Sequence, residues 1–229
     1  MVDMNRKDLK TEVYNELRDR ILGSAILPGV RISDKTIAEE LGTSRTPVRE
    51  ALIRLADHGL VQAIHNRGFT VREFTIKEVR ELYQVREALE VLAIDLAAES
   101  MNRQKIQTLG ELLDEHSAMI QSESRDAFNR ADERFHQLLA QFSENALLIK
   151  QLNSLHDQLA ILRRHTHLLT IGPRKRYEED TYRDHLAVFQ WLVDGDVPQA
   201  KQALAEHIQA SMKSVIEVLE RHPYAGAVN

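Results

Sequence analysis

Ten histidines are many for a chain of 229 residues, and four positions among the acids and histidines have spacings that could hold a metal. Asp132 and His136 are four apart in Arg130-Ala131-Asp132-Glu133-Arg134-Phe135-His136, which puts both side chains on one face of a helix. His185 and His207 each lie eleven residues from Asp196, inside the turn signal Asp194-Gly195-Asp196, so an antiparallel helix pair would bring them to one height. Three imidazoles and one carboxylate suit Zn, Ni, Mn, Co or Fe, with zinc first, better than Mg or Ca. At octahedral geometry such a set leaves two positions for water or a chelating ligand. On spacing alone, a surface pair and ordinary packed histidines remain the plainer reading. Arg86 shares a stripe with Leu82, Leu89 and Ala93; a cation buried there needs an anion, for which Glu90 is the simple partner and a carboxylate ligand the alternative. Arg163, on a leucine-striped helix, is a second candidate of this kind. His58, His116, His156, His165, His167 and His222 read as surface or packing residues.

A second group sits near the front. Thr43-Ser44-Arg45-Thr46-Pro47-Val48-Arg49-Glu50 reads as the start of a helix, with Pro47 in the first turn, where its missing N–H costs little. Arg45 and Arg49 then share one face near the helix N-terminus, and two guanidinium forks entering a major groove would meet guanine O6 and N7. Ser44 and Thr46 offer hydroxyls, and Lys35 a point charge, to phosphates or base edges. His65, Arg67 and Gly68 form a turn able to reach the minor groove.

These groups need elements to position them. Val13, Leu17 and Ile21 mark a first helix stopped by Gly23. Ser33 or Asp34 opens a second, carrying Ile37, Ala38 and Leu41, and Gly42 ends it. The third carries Val48, Ala51, Leu52 and Leu55 to Gly59. The period then changes to two across Val61–Ile64 and Phe69–Val71, which predicts a hairpin. Six further helices are expected near 76–100, 103–122, 125–142, 145–166, 175–194 and 197–221, with a break at Ile171-Gly172-Pro173. Leu82, Val85, Leu89, Leu92 and Leu96 are the expected core stripe of the first of these. The fold class is mostly α: an N-terminal winged helix-turn-helix, residues 1–74, and a C-terminal all-α antiparallel helical bundle, residues 75–229.

Composition agrees with this division. Residues 1–72 carry 12 Lys and Arg against 10 Asp and Glu, and the remainder 18 against 25, so a slightly basic front precedes an acidic back. The absence of cysteine excludes disulfides and thiolate chemistry. No apolar run reaches the roughly 18 residues of a membrane span. The N-terminal residues do not read as a signal peptide, so a cytoplasmic protein with no membrane partner is expected.

The stretch Ile37 to Leu52, with Ser44-Arg45-Thr46-Pro47-Val48-Arg49-Glu50-Ala51, resembles the N-terminal domain of GntR-family transcription regulators over about residues 10–72. The resemblance implies that Arg45 and Arg49 read bases while Lys35, Ser44, Thr46 and Gly68 contact backbone or groove. Lys35 stands where many relatives have Arg, which keeps the charge and loses the bidentate fork. Residues 76–215 look like the all-helical FCD effector domain of the FadR-type branch, through Leu82 to Glu90, Asp132 to His136, Asn145, His185, Gly195-Asp196 and His207. In metal-binding members, the positions matching Asp132, His136, His185 and His207 are the ligands. Relatives that lack these ligands and bind an acyl-CoA are unlike this sequence.

The resemblance implies a homodimeric regulator, not an enzyme: a repressor by default, reading a palindromic double-stranded DNA operator. A small carboxylate bound at the divalent metal would control it, with Arg86 and Arg163 as effector contacts. One alternative makes the metal itself the signal. Another, a metal-dependent hydrolase or lyase, needs a poised general base; Glu133 lies on a different helix face, and the winged helix would be left without a purpose.

Overall fold

A computed structural model describes residues 2–64, 68–121, 125–169 and 174–224. By their internal contacts the residues fall into two units. The first comprises Met1–Ile76, Asp157–Thr170 and Val218–Asn229, and the second Lys77–His156 and Ile171–Glu217.

The first unit starts with α1 (Val2–Leu22), β1 (Arg31–Ile32), α2 (Asp34–Glu40), α3 (Arg45–Asp57), β2 (Val61–Ile64) and β3 (Gly68–Val71). Ser33 caps α2, its side chain accepting from the Thr36 N–H at 3.3 Å. Both α2 and α3 end on left-handed glycines, Gly42 at φ 62° and Gly59 at φ 71°. Behind them Thr43 N–H donates to Ala38 and Leu60 N–H to Leu55, both at 2.9 Å, which satisfies carbonyls the helix ends leave open. Val13, Leu17, Ile21, Val48, Leu52, Leu55 and Val61 form the core, as the periodicity predicts.

The sheet has the order β1-β3-β2, antiparallel throughout, with Val61 opposite Val71 and Ile64 opposite Gly68. The hairpin is the expected one. β1 is an addition, since two residues are too few for any period to register. Later chain completes the unit: Arg18 donates twice to Asp157, at 2.7 and 2.5 Å, and Tyr224 stacks on His165.

The other helices are α4 (Ile76–Glu99), α5 (Arg103–Gln121), α6 (Arg125–Phe142), α7 (Ala146–Leu169), α8 (Arg174–Asp194) and α9 (Val197–Arg221). Asn102, Asn145 and Asp196 cap α5, α7 and α9 by accepting from the N–H three residues on. The expected break at 171–173 lies outside the described residues.

One expectation fails here. The buried face of α4 is Val79, Tyr83, Arg86, Glu90, Ala93, Ile94 and Ala97, whereas Val85 is 51% and Leu92 42% exposed. The inward face carries a charged pair because it serves the histidines described next, so the apolar period marks another face of the helix.

Candidate metal centre and nucleic-acid interface

α6 carries Asp132 and His136 one turn apart, α8 supplies His185, and α9 supplies His207. One ligand atom from each lies within 4.8 Å of all the others. The His185 and His207 Nε2 atoms are 3.3 Å apart, and Asp132 Oδ1 lies 3.6 Å from His185 Nε2 and 3.9 Å from His136 Nε2. The three histidines are buried, and the turn at Gly195-Asp196 brings the last two to one height, as their equal spacing from it implies.

Carboxylates orient two of the rings from behind. His136 Nδ1–H donates to Glu90 at 2.7 Å, and His207 Nδ1–H to Asp184 at 3.2 Å, leaving each Nε2 directed at the others. An acidic partner behind a ligating imidazole is the usual arrangement around a bound metal. The His185 ring is instead held by stacking on Phe135, centroids 3.9 Å apart. Three imidazoles and a carboxylate converging through lone pairs fit a divalent transition metal.

Glu90 is the hub behind this cluster. It accepts from Arg86 Nε at 2.7 Å, from His136, and from His156 Nε2 at 2.9 Å. Burial alone would raise its pKa, but the Arg86 cation and the two histidine hydrogen bonds outweigh this and hold it well below the usual carboxylate range. Arg86, 1% exposed, also donates from Nη2 to His136 Nε2 at 2.9 Å, so the guanidinium covers a lone pair that a metal would use.

Burial pushes His185 well below the ordinary histidine value, with the neighbouring His207 and His136 adding to the effect. His136 falls from 6.5 to about 4, through burial first, with Glu90 opposing and Arg86 assisting. These rings are therefore neutral at pH 7, the form that binds metal. Between about pH 4 and 6.5 the unfolded chain binds a proton that folded His136 refuses, so stability rises with pH across that window. About 3 kcal/mol is lost as pH falls through it, at about 1.4 kcal/mol per unit. Thermal denaturation of the chelated protein should show this slope, and His136→Gln should lessen it, leaving the part that His185 contributes. A wild-type midpoint independent of pH from 6.5 to 4 would contradict a neutral buried ring.

Spacing gave Glu90 only as the partner of Arg86, and it read His116 and His156 as surface or packing residues without placing them beside this cluster. Both histidines are buried, and His116 packs beside His185 with ring centroids 5.3 Å apart. Their partners are far away in sequence, so no local pattern marks them. Arg163 is buried on the part of α7 that groups with the first unit.

The front residues assemble differently. Arg45 and Arg49 are exposed at the head of α3, as are Ser44, Thr46 and Lys35. The Ser44 hydroxyl makes no capping bond. Arg45 Nη2 is held at 3.0 Å from both Asp34 oxygens. A groove of about 480 Å³ runs between α3 and the wing, lined by Arg31, Asp34, Arg45, Arg49, Ile64 and Gly68. Arg31, paired with Thr70 at the sheet edge, is a cation the sequence reading missed. Gly68 opens β3 at φ 86°. His65 and Arg67 lie outside the described residues.

The sequence matches two families: "Bacterial regulatory proteins, gntR family" over residues 9–71 and "FCD domain" over residues 81–210. The uncharacterized HTH-type transcriptional regulator YdhC of Bacillus subtilis (strain 168) is 30% identical over 210 residues, covering 91% of this chain and 92% of that protein. The HTH-type transcriptional repressor RspR of Escherichia coli (strain K12) is 29% identical over 214 residues, covering 92% and 90%. Among solved structures, E. coli McbR/YncC is similar with a TM-score of 0.79 at 24% identity, covering 91% of this chain and 97% of that one, which bears on the fold. The chain therefore belongs to the gntR family of bacterial regulatory proteins, in its FadR-type branch: a DNA-binding transcription regulator with an FCD domain behind its winged helix.

Proposed function

We propose that this regulator represses transcription as a homodimer on a palindromic operator and is released by a small carboxylate held at a divalent metal. The observation that carries the reading is the convergence of Asp132, His136, His185 and His207 within 4.8 Å, in a chain whose front is a winged helix. Zinc is the first choice, with nickel, manganese, cobalt or iron also suited to the donors. The ion would supply a Lewis-acidic centre that accepts an oxyanion. Arg86, buried against that centre with Nη1 unpartnered among the described residues, provides a cation for the carboxylate.

The working parts are a DNA-binding domain over residues 1–74 and an effector domain over 75–229. Arg45 and Arg49 read bases. Lys35, Ser44, Thr46 and Gly68, with His65 and Arg67 of the wing, hold the backbone and groove. The name of RspR supports a repressor. Glu90 is committed to three partners and is no free base, which favours binding without turnover. Among the described residues no helix is long and apolar enough to cross a membrane, in keeping with a cytoplasmic site of action.

Dimerisation has a candidate surface. Leu82, Val85, Leu89, Leu92 and Leu96 alternate spacings of three and four along α4, and none is buried in the single chain. That is the seam of two paired helices, and the occupant we assign is α4 of a second copy. A palindrome needs two winged helices.

The test selects fragments of the host genome with zinc-loaded protein at about 150 mM salt, since affinity depends steeply on ionic strength. Enrichment of one palindromic site, bound by two chains and released by one of a panel of small carboxylates, supports the reading. Leu92→Glu should reduce the complex to one chain per palindromic site and weaken retention. No enrichment with or without metal overturns DNA recognition. Enrichment indifferent to every carboxylate but responsive to metal would favour the metal itself as the signal, for which the Arg86–His136 contact already offers a means.

A further inference from the structure

His116 is the most costly side chain on α5. It is 0% exposed, and neither ring nitrogen has a hydrogen-bond partner among the described residues. The neighbouring inward residues on α5 are Leu109, Leu112 and Leu113, so a leucine at 116 would continue that face without burying a polar ring. The imidazole lies against Phe128 of α6, centroids 4.6 Å apart, and beside the candidate ligand His185, at 5.3 Å. Tyr182, on α8, meets it edge-on.

His116 is not alone in this. Arg86 Nη1, His156 Nδ1 and His185 Nδ1 are also buried and unpartnered, all in the same unit. His156 already gives its N–H to Glu90, so Arg86, His116 and His185 are the residues that bring nitrogens, and no oxygen, to be satisfied around one cluster. That imbalance suits an oxygen-rich anion. A neutral imidazole has one N–H to donate and one lone pair to accept, so it can serve a carboxylate or a hydroxyl.

We propose that His116 hydrogen-bonds a second oxygen function of the effector, and so selects carboxylates that carry a further hydroxyl or carboxyl group over simple monocarboxylates. This rests on the metal-and-carboxylate reading above. Arg86 and the metal hold the first carboxylate, and His116, on a different helix, reads what is attached to it. The polar ring is kept in an apolar setting because the ligand satisfies it.

The experiment compares wild type, His116→Leu and His116→Gln by calorimetric titration, using zinc, then malate and acetate on the zinc-loaded protein. His116→Leu should weaken malate by on the order of tenfold, the loss of one hydrogen bond to a charged or polar ligand. Acetate and zinc should stay within about threefold of wild type, and His116→Gln should recover part of the malate affinity. In the chelated protein, His116→Leu should raise the denaturation midpoint, because it removes an unsatisfied buried group. Malate affinity unchanged in His116→Leu, or malate and acetate weakened alike, overturns the proposal. So does a loss of zinc affinity beyond about tenfold, which would make His116 part of the metal site itself. Wild-type protein that binds zinc but neither acid would overturn the carboxylate reading, and that failure is recognisable because it needs no variant.

Discussion

Replacing Arg45 with alanine should cost the operator complex about 1–3 kcal/mol, a loss of roughly 5- to 150-fold in affinity at fixed salt. The loss should be confined to the operator and leave non-specific binding nearly unchanged. The reason is in how the side chain is held. Asp34 accepts from Arg45 Nη2 with both oxygens at 3.0 Å, which restrains a long side chain in the groove between α3 and the wing. A restrained fork loses less entropy on meeting a guanine edge than a free one. Arg49 should behave in the same way from one turn further along. Lys35, exposed and 3.9 Å from Glu39, has no such restraint. Lys35→Ala should weaken all DNA sequences evenly and lower the salt slope by about one. Asp34→Ala should separate restraint from charge: operator preference falls while non-specific affinity rises, since an anion has been removed from a phosphate-facing surface. Fluorescence anisotropy on operator and scrambled duplexes at several salt concentrations measures all four. Equal losses on both duplexes for Arg45→Ala, Arg49→Ala and Lys35→Ala would contradict these roles.

Much of this is legible in the sequence. Helix limits followed from Ser33, Gly42, Asn145 and Asp196 acting where chain chemistry requires a cap or a stop. The four candidate ligands were legible for a similar reason: two share a helix turn, and two are equidistant from a tight turn, so local geometry brings each pair together. What the sequence hid is non-local. His156 meets Glu90 across 66 positions, and nothing near either residue signals the other. α4 misled in a specific way. Its apolar period is strong, but the face it marks stays partly exposed, because the adjoining face that carries Arg86 and Glu90 is the one turned inward. A hydrophobic stripe reports that some surface is to be covered, not that the same chain covers it.

The second large effect is expected at Arg86. Arg86→Met removes the cation from a buried carboxylate and leaves Glu90 with two imidazole donors. Breaking a buried ion pair on one side costs about 3–5 kcal/mol. For a chain of this size that corresponds to a fall of about 6–20 °C in the denaturation midpoint of the chelated protein, at about 2–4 °C per kcal/mol. Zinc affinity should move in the opposite direction. In the wild-type fold Arg86 Nη2 sits 2.9 Å from His136 Nε2, so guanidinium and metal compete for one lone pair, and the methionine variant has no competitor. Zinc should therefore raise the midpoint of Arg86→Met more than that of wild type. Carboxylate affinity of the loaded protein should fall, because the cation that would balance it is gone. Arg86→Lys discriminates further, since an ammonium can still neutralise Glu90 but lacks the fork that spans Glu90 and His136 together. It should retain most of the stability and gain part of the zinc affinity. Weaker zinc binding in Arg86→Met, measured in folded protein below its midpoint, would mean that the guanidinium supports the metal site rather than competing with it.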